Sequence, residues 1–116
     1  MYQKENGEVP VSKFINSLNN KKLKAKAYSD IKLLQEYGYD LHEPYVKPIK
    51  GKENKGLYEL RIKFANDIAR IFYFIHVDNK FVLLHGFIKK SQGISAKELD
   101  RARRYMEDYK RRTQYG

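Results

Sequence analysis

At 116 residues with 41% hydrophobic side chains, the chain is long enough for one modest core and too short for two, so a single domain over residues 1–116 is expected. Twenty-four Lys and Arg against 14 Asp and Glu leave a formal charge of +10, an excess that repels itself unless an anionic partner such as nucleic acid is at hand. The absence of cysteine excludes disulfides and thiolate zinc sites. With no apolar run near the roughly 20 residues of a membrane span, and no signal-peptide core in MYQKENGEVP, a soluble cytoplasmic protein with no membrane partner is expected.

After Pro10, Val11, Phe14, Ile15 and Leu18 recur at helical spacing and predict a short amphipathic helix. A turn at Asn19 and Asn20 precedes a second stripe, Leu23, Ala27, Ile31 and Leu34, which runs to Tyr37 with Gly38 as its expected left-handed terminator. Residues 41–55 carry Pro44, Pro48, Gly51 and four interleaved lysines (Lys47, Lys50, Lys52, Lys55), a pattern for a loop with room for one short edge strand.

From Leu57 the period becomes two, with Tyr58, Leu60, Ile62 and Phe64 alternating with Leu57, Glu59, Arg61 and Lys63. A second strand is expected from Ile68 to Val77 and a third from Phe81 to Lys89, joined by a two-residue turn at Asp78 and Asn79. Ser95 to Glu98 (SAKE) reads as a capping box, and Leu99, Ala102, Met106 and Tyr109 form the stripe of a last helix.

Register decides which side chains share a face. A two-residue turn sets Phe72 opposite His85 and Arg70 opposite Phe87. A four-residue turn from Ala65 to Ile68 sets Lys63 opposite Arg70 and Arg61 opposite Phe72. One face then holds Tyr58, Leu60, Ile62, Phe64, Ala69, Ile71, Tyr73, Ile75, Val77, Val82, Leu84, Gly86 and Ile88, a core to pack on the helical hairpin. The other interleaves Arg61, Lys63, Arg70, His85 and Lys89 with Phe72, Phe74, Phe81, Leu83 and Phe87. Cations hold phosphates and exposed rings stack on unpaired bases, so this mixture suits RNA. The last helix is expected to cover Phe74, Phe81 and Leu83 while leaving Arg61, Lys63, Arg70, Phe72 and Lys89 open.

The histidines His42, His76 and His85 have no metal-ligand spacing, and neither a serine elbow nor a Gly-rich phosphate loop is present, so no cofactor or metal is expected. RNA supplies its own nucleophile in the 2′-hydroxyl. A protein need only align it and stabilise the charge that develops on phosphorus, which Arg and Lys do. Arg acts as a clamp, whereas a Lys crowded by other cations can also transfer protons. Arg70, in an otherwise apolar strand, either clamps phosphate, with its loss leaving the fold intact, or is neutralised by Glu59. His85 reads as a hydrogen-bonded packing residue or a proton donor.

Gly56 to Arg61 (GLYELR), Ala69 to Phe74 (ARIFYF) and Leu84 to Lys90 (LHGFIKK) resemble successive strand motifs of the phage-derived HigB branch of the RelE/ParE toxin superfamily. The helical hairpin and SQGISAKELDRA resemble it too. The resemblance implies an α+β fold: a RelE-like twisted antiparallel sheet with an N-terminal helical hairpin on one side and a C-terminal helix. It implies a type II toxin that cleaves mRNA in the ribosomal A site, without metal, and is checked by a HigA-like helix-turn-helix antitoxin. A ParE-like gyrase inhibitor and a non-catalytic RNA-binding module are the alternatives. By the same resemblance Arg61, Lys63, Arg70, Lys89 and Lys90 form the catalytic set, while Phe72 and His85 on the mixed sheet face and Arg101 and Arg104 on the outer side of the last helix are expected to bind RNA. Two departures stand out. Ser91, Gln92, Gly93 and Ile94 follow Lys90 where many relatives place Tyr or His, leaving Tyr105 and Tyr109 as substitutes by proximity. The N-terminal strand usual in the family is reduced to Tyr2 and its neighbours.

Overall fold

The computed structural model describes residues 1–41, 45–89 and 96–114. Helix α1 (Pro10–Asn16) starts on a proline, whose missing N–H is one of the donors a first helical turn leaves unpaired anyway. Asn20 then caps α2 (Lys21–Tyr37): its side-chain oxygen accepts from the Lys22 N–H at 2.9 Å and the Leu23 N–H at 3.2 Å, which is why the chain breaks and restarts there. The end of α2 differs from expectation. Gly38 is right-handed (φ −48°, ψ −43°) and leads into a 3₁₀ turn, Gly38–Asp40. Glycine is required there for space, since a Cβ would fall 2.1 Å from Cζ of Phe81.

The anticipated edge strand exists as β1 (Val46–Pro48), followed by β2 (Tyr58–Phe64), β3 (Asp67–His76) and β4 (Lys80–Ile88) in one antiparallel sheet of order β1-β2-β3-β4. The register corrects both turns. Phe64 pairs with Asp67, so the β2–β3 turn has two residues, with Ala65 at φ 56°. The shift is even, so the faces survive, but Arg61 lies opposite Arg70, and Lys63 opposite Ile68.

The β3–β4 turn has three residues, Val77–Asn79, with Asn79 at φ 60° and His76 opposite Lys80. This odd shift turns over the first half of β4. Phe81 and Leu83 therefore pack toward the helical hairpin, and Val82 and Leu84 toward the last helix, the reverse of the expected assignment. A bulge at Phe72/Tyr73 restores the register, so that Phe72 faces His85 and Arg70 faces Phe87 as expected. Val77, expected in the core, is 70% exposed in the turn.

Both sheet faces are covered. Leu60, Ile62, Ala69, Ile71, Tyr73 and Leu83 pack against Val11, Ile15, Leu23, Ala27, Ile31 and Leu34 of the hairpin. On the other side α3 (Ala96–Gln114) lays Leu99, Ala102, Met106 and Tyr109, the predicted stripe, over Phe72, Phe74, Val82 and Leu84. Ser95, the expected cap, lies outside the described residues. Tyr2 lies along the outer edge of β4, where its N–H donates to the Leu83 carbonyl at 2.8 Å. Its ring stacks on Tyr105 and its hydroxyl donates to Asp108 at 2.6 Å. Among the described residues no helix is long and apolar enough to cross a membrane.

Candidate active site

Antiparallel pairing aligns two rows of side chains on the α3 side of the sheet. One row runs Lys47, Glu59, Phe72, His85, and the next runs Arg61, Arg70, Phe87. Beyond them Lys63 pairs with Ile68, whose carbonyl accepts the Lys89 N–H at 2.9 Å. Arg61, Arg70 and Lys89, with Lys47 beside them, are thus brought together by strand register.

Glu59 is the residue around which the cluster is built. It is fully buried, and so is Arg70, whose Nη1 lies 3.0 Å and 3.2 Å from the two carboxylate oxygens. Lys47 Nζ stands 3.7 Å from Glu59 Oε1 at the more exposed side. The one carboxylate thus pairs with Arg70 and Lys47, and its charge also acts on Lys89. The Nε atoms of Arg61 and Arg70 are both buried and have no hydrogen-bond partner among the described residues. The two cross-strand guanidinium groups thus keep donors unspent, and a buried unpaired donor is costly until an acceptor arrives.

Lys89, partly exposed, has its ammonium pKa pulled below the usual lysine value, chiefly by loss of solvation and then by the Arg70 and Arg61 charges; Glu59 opposes the shift. Such a group gives up its proton more readily than an ordinary lysine. Lys63 is exposed at the margin of the cluster. Lys90, and with it Ser91 to Ile94, lies outside the described residues.

Other expected contributors are placed differently. Phe72, assigned to base stacking, is fully buried with its ring centroid 5.2 Å from that of Phe87, so it offers no ring face to a base. Arg70 is neutralised by Glu59, the second of its two readings, and is not a free surface cation. His85 is largely buried, contacting Glu98 through Nε2, stacking on Phe87 and meeting Tyr105 edge-on, and it also lines the cleft that holds Arg101 and Arg104. Burial lowers its imidazole pKa, with Glu98 opposing and the Arg101 charge assisting. Tyr105 packs on Tyr2, and Tyr109 packs edge-on against Phe74 and His76.

Arg101 and Arg104 leave the sheet cluster and line a separate cleft of about 690 Å³ with Lys13, Phe14 and Tyr105, at the outer edge of β4. His42 is outside the described residues, and no group of three or more His, Asp or Glu side chains comes together among those described. Lys47 and the organising role of Glu59 escaped the sequence reading. The alternation of β2 already put Glu59 beside Arg61, whereas Lys47 sits on a strand too short to show a period.

The family model described as phage derived protein Gp49-like (DUF891) matches residues 13–107. No curated protein matches the chain.

Proposed function

The chain belongs to the phage-derived Gp49-like family, a RelE-like toxin family, and from that premise we propose that it is the toxin of a type II toxin–antitoxin pair, cleaving mRNA on the ribosome. The observation that carries this reading is the cross-strand pair Arg61 and Arg70, each with a buried Nε that lacks an acceptor among the described residues, flanked by a lysine of lowered pKa.

In this reading Arg61 and Arg70 hold the non-bridging oxygens of one phosphodiester, with Glu59 fixing the Arg70 guanidinium in place. The 2′-hydroxyl of the preceding ribose gives its proton to solvent water and its oxygen bonds to phosphorus while the bond to the 5′-oxygen breaks. Lys89 delivers a proton to that leaving oxygen, and Lys63 and Lys90 hold neighbouring phosphates. The products are a 2′,3′-cyclic phosphate and a 5′-hydroxyl. Arg101 and Arg104 contact ribosomal RNA away from the reacting atoms. A HigA-like helix-turn-helix antitoxin restrains the activity.

Mapping of RNA ends after incubation with translating ribosomes tests the proposal. New codon-linked 5′-hydroxyl ends are expected. Ends bearing 5′-phosphate would replace 2′-hydroxyl attack with activated water. No cleavage together with inhibited DNA supercoiling would make the chain a gyrase-directed toxin. Co-expression with a helix-turn-helix protein encoded in the adjacent reading frame is expected to restore growth.

A further inference from the structure

The segment between β1 and β2 carries three exposed lysines, Lys50, Lys52 and Lys55, against the single acid Glu53. Such runs are commonly loose solvated loops, but this one is built. Asn54 is buried, donates through Nδ2 to the Lys50 carbonyl at 2.8 Å and accepts on Oδ1 from Arg103 of α3 at 2.6 Å. The Asn54 N–H donates to the Gly51 carbonyl at 3.1 Å, and the Asn54 carbonyl accepts from Leu57 at 3.0 Å. The Ile49 N–H closes the segment on the Leu57 carbonyl at 2.9 Å. Gly51 and Gly56, at φ 110° and 90°, supply the two left-handed corners that this path needs. Ile49 and Leu57 are committed to the core under α3.

We propose that this segment is a docking surface for double-helical RNA, with Lys50, Lys52 and Lys55 taking backbone phosphates; it rests on the reading above for why the polyanion is RNA. Three features favour a duplex. The lysines project from a backbone fixed at both ends and in its middle, which suits phosphates held in a fixed array. No aromatic residue lies between Ile49 and Leu57, so the segment lacks the stacking rings that single strands need. Finally, Lys47 on β1 joins the segment to the Glu59 cluster, so a duplex docked there lies beside a single strand held by Arg61 and Arg70.

The test is fluorescence anisotropy with a labelled RNA duplex of about 16 base pairs, across a salt series. Removing the charges in the triple variant Lys50→Gln, Lys52→Gln, Lys55→Gln is expected to weaken duplex affinity about tenfold or more and to make the salt slope shallower by about 2 to 3. Cleavage of a minimal single-stranded substrate by the same variant should be unchanged. Asn54→Ala keeps every charge and is expected to weaken the duplex about threefold with the slope retained, because only the array is loosened.

An unchanged slope and affinity in the triple variant would overturn the proposal. So would an equal loss on a single-stranded oligonucleotide, which would mean undirected charge, or tighter binding to a DNA duplex. The two readings fail separately. Duplex binding that depends on the lysines in a protein that cleaves nothing keeps the platform and removes the nuclease, whereas cleavage with lysine-independent duplex binding does the opposite.

Discussion

Glu59 and Arg70 sit diagonally across β2 and β3 as a buried ion pair, with Nη1 3.0 Å from Oε2 and neither side chain more than 3% exposed. Arg70→Ala strands that carboxylate, and losing one partner of a buried pair costs about 3–5 kcal/mol. The lower end is expected because Lys47 remains 3.7 Å away. The variant should melt well below the parent and be inactive, so inactivity alone proves nothing about its role. Replacing both partners, Glu59→Leu with Arg70→Met, should recover most of the melting temperature and none of the cleavage. A parent-like melt for Arg70→Ala would remove the pair from the stability of the sheet.

Arg61 gives the cleaner functional test. It lies directly opposite Arg70, and like charges across a strand pair oppose stability. Arg61→Gln is expected to lower cleavage by about a hundredfold, the scale for losing one preorganised donor. Thermal denaturation should show an unchanged or slightly raised midpoint. A large loss of stability would mean that Arg61 holds the sheet together and does not await an anion.

How far the sequence exposes this face is seen at two turns. Period-two alternation located β2, β3 and β4, and because the β2–β3 turn is wrong by an even number, Arg61, Lys63 and Arg70 still fall on the correct side. The β3–β4 turn is wrong by one, which misplaces Phe81 to Leu84, yet the bulge beside Phe72 cancels the error before His85. A bulge leaves no mark in a run where every residue is apolar, since either face accepts it. Burial of Phe72 was equally hidden: an aromatic among cations reads the same whether a helix lies over it or not. Glu59 as the pivot depended on knowing that its neighbours are cationic on three sides, a property of packing and not of spacing.

Gly38 separates conformation from space. Its φ of −48° and ψ of −43° suit alanine, and helix propensity alone would make Gly38→Ala stabilising by up to about 1 kcal/mol. The Phe81 ring occupies the room a Cβ needs, with Cζ 2.1 Å from its ideal position. Overpacking should win, and the variant is expected to lose about 1–3 kcal/mol in denaturant unfolding. A gain in stability would show that Phe81 swings aside freely.

The N-terminal clasp carries its own pH signature. Burial, the hydrogen bond to Asp108 and the Asp108 charge push the Tyr2 hydroxyl up to about 12. The folded state therefore keeps a proton that the unfolded chain releases near pH 10. Its contribution is complete below about pH 10 and is lost as pH rises toward 12. Asp108 runs the other way: the Tyr2 hydroxyl, followed by Arg111, lowers its pKa, so its contribution is lost as pH falls below the usual carboxylate range. Tyr2→Phe should flatten the alkaline decline relative to the parent in urea melts at several pH values. Parallel curves for the two proteins would show that Tyr2 titrates alike in both states.

Lys89 ties the pH dependence to the chemistry. Desolvation, followed by the charges of Arg70 and Arg61, lowers its pKa, and a proton donor must be protonated to act. Cleavage of a minimal single-stranded substrate should therefore decline on the alkaline side at a pH below the ordinary lysine value, an isolated limb free of ribosomal titration. Lys89→Arg keeps the charge but cannot titrate in this range. If Lys89 acts only as a cation, that variant stays active and loses the limb. If Lys89 donates the proton, as proposed, the variant slows by about 10²- to 10⁴-fold. A substrate with sulfur in place of the 5′-oxygen decides between them, because a thiolate leaves without a proton. Lys89→Gln should cleave it nearly as well as the parent protein does while failing on the oxygen substrate. An equal defect on both substrates would reduce Lys89 to a phosphate clamp, and a parent-like rate on the oxygen substrate would remove it from the site.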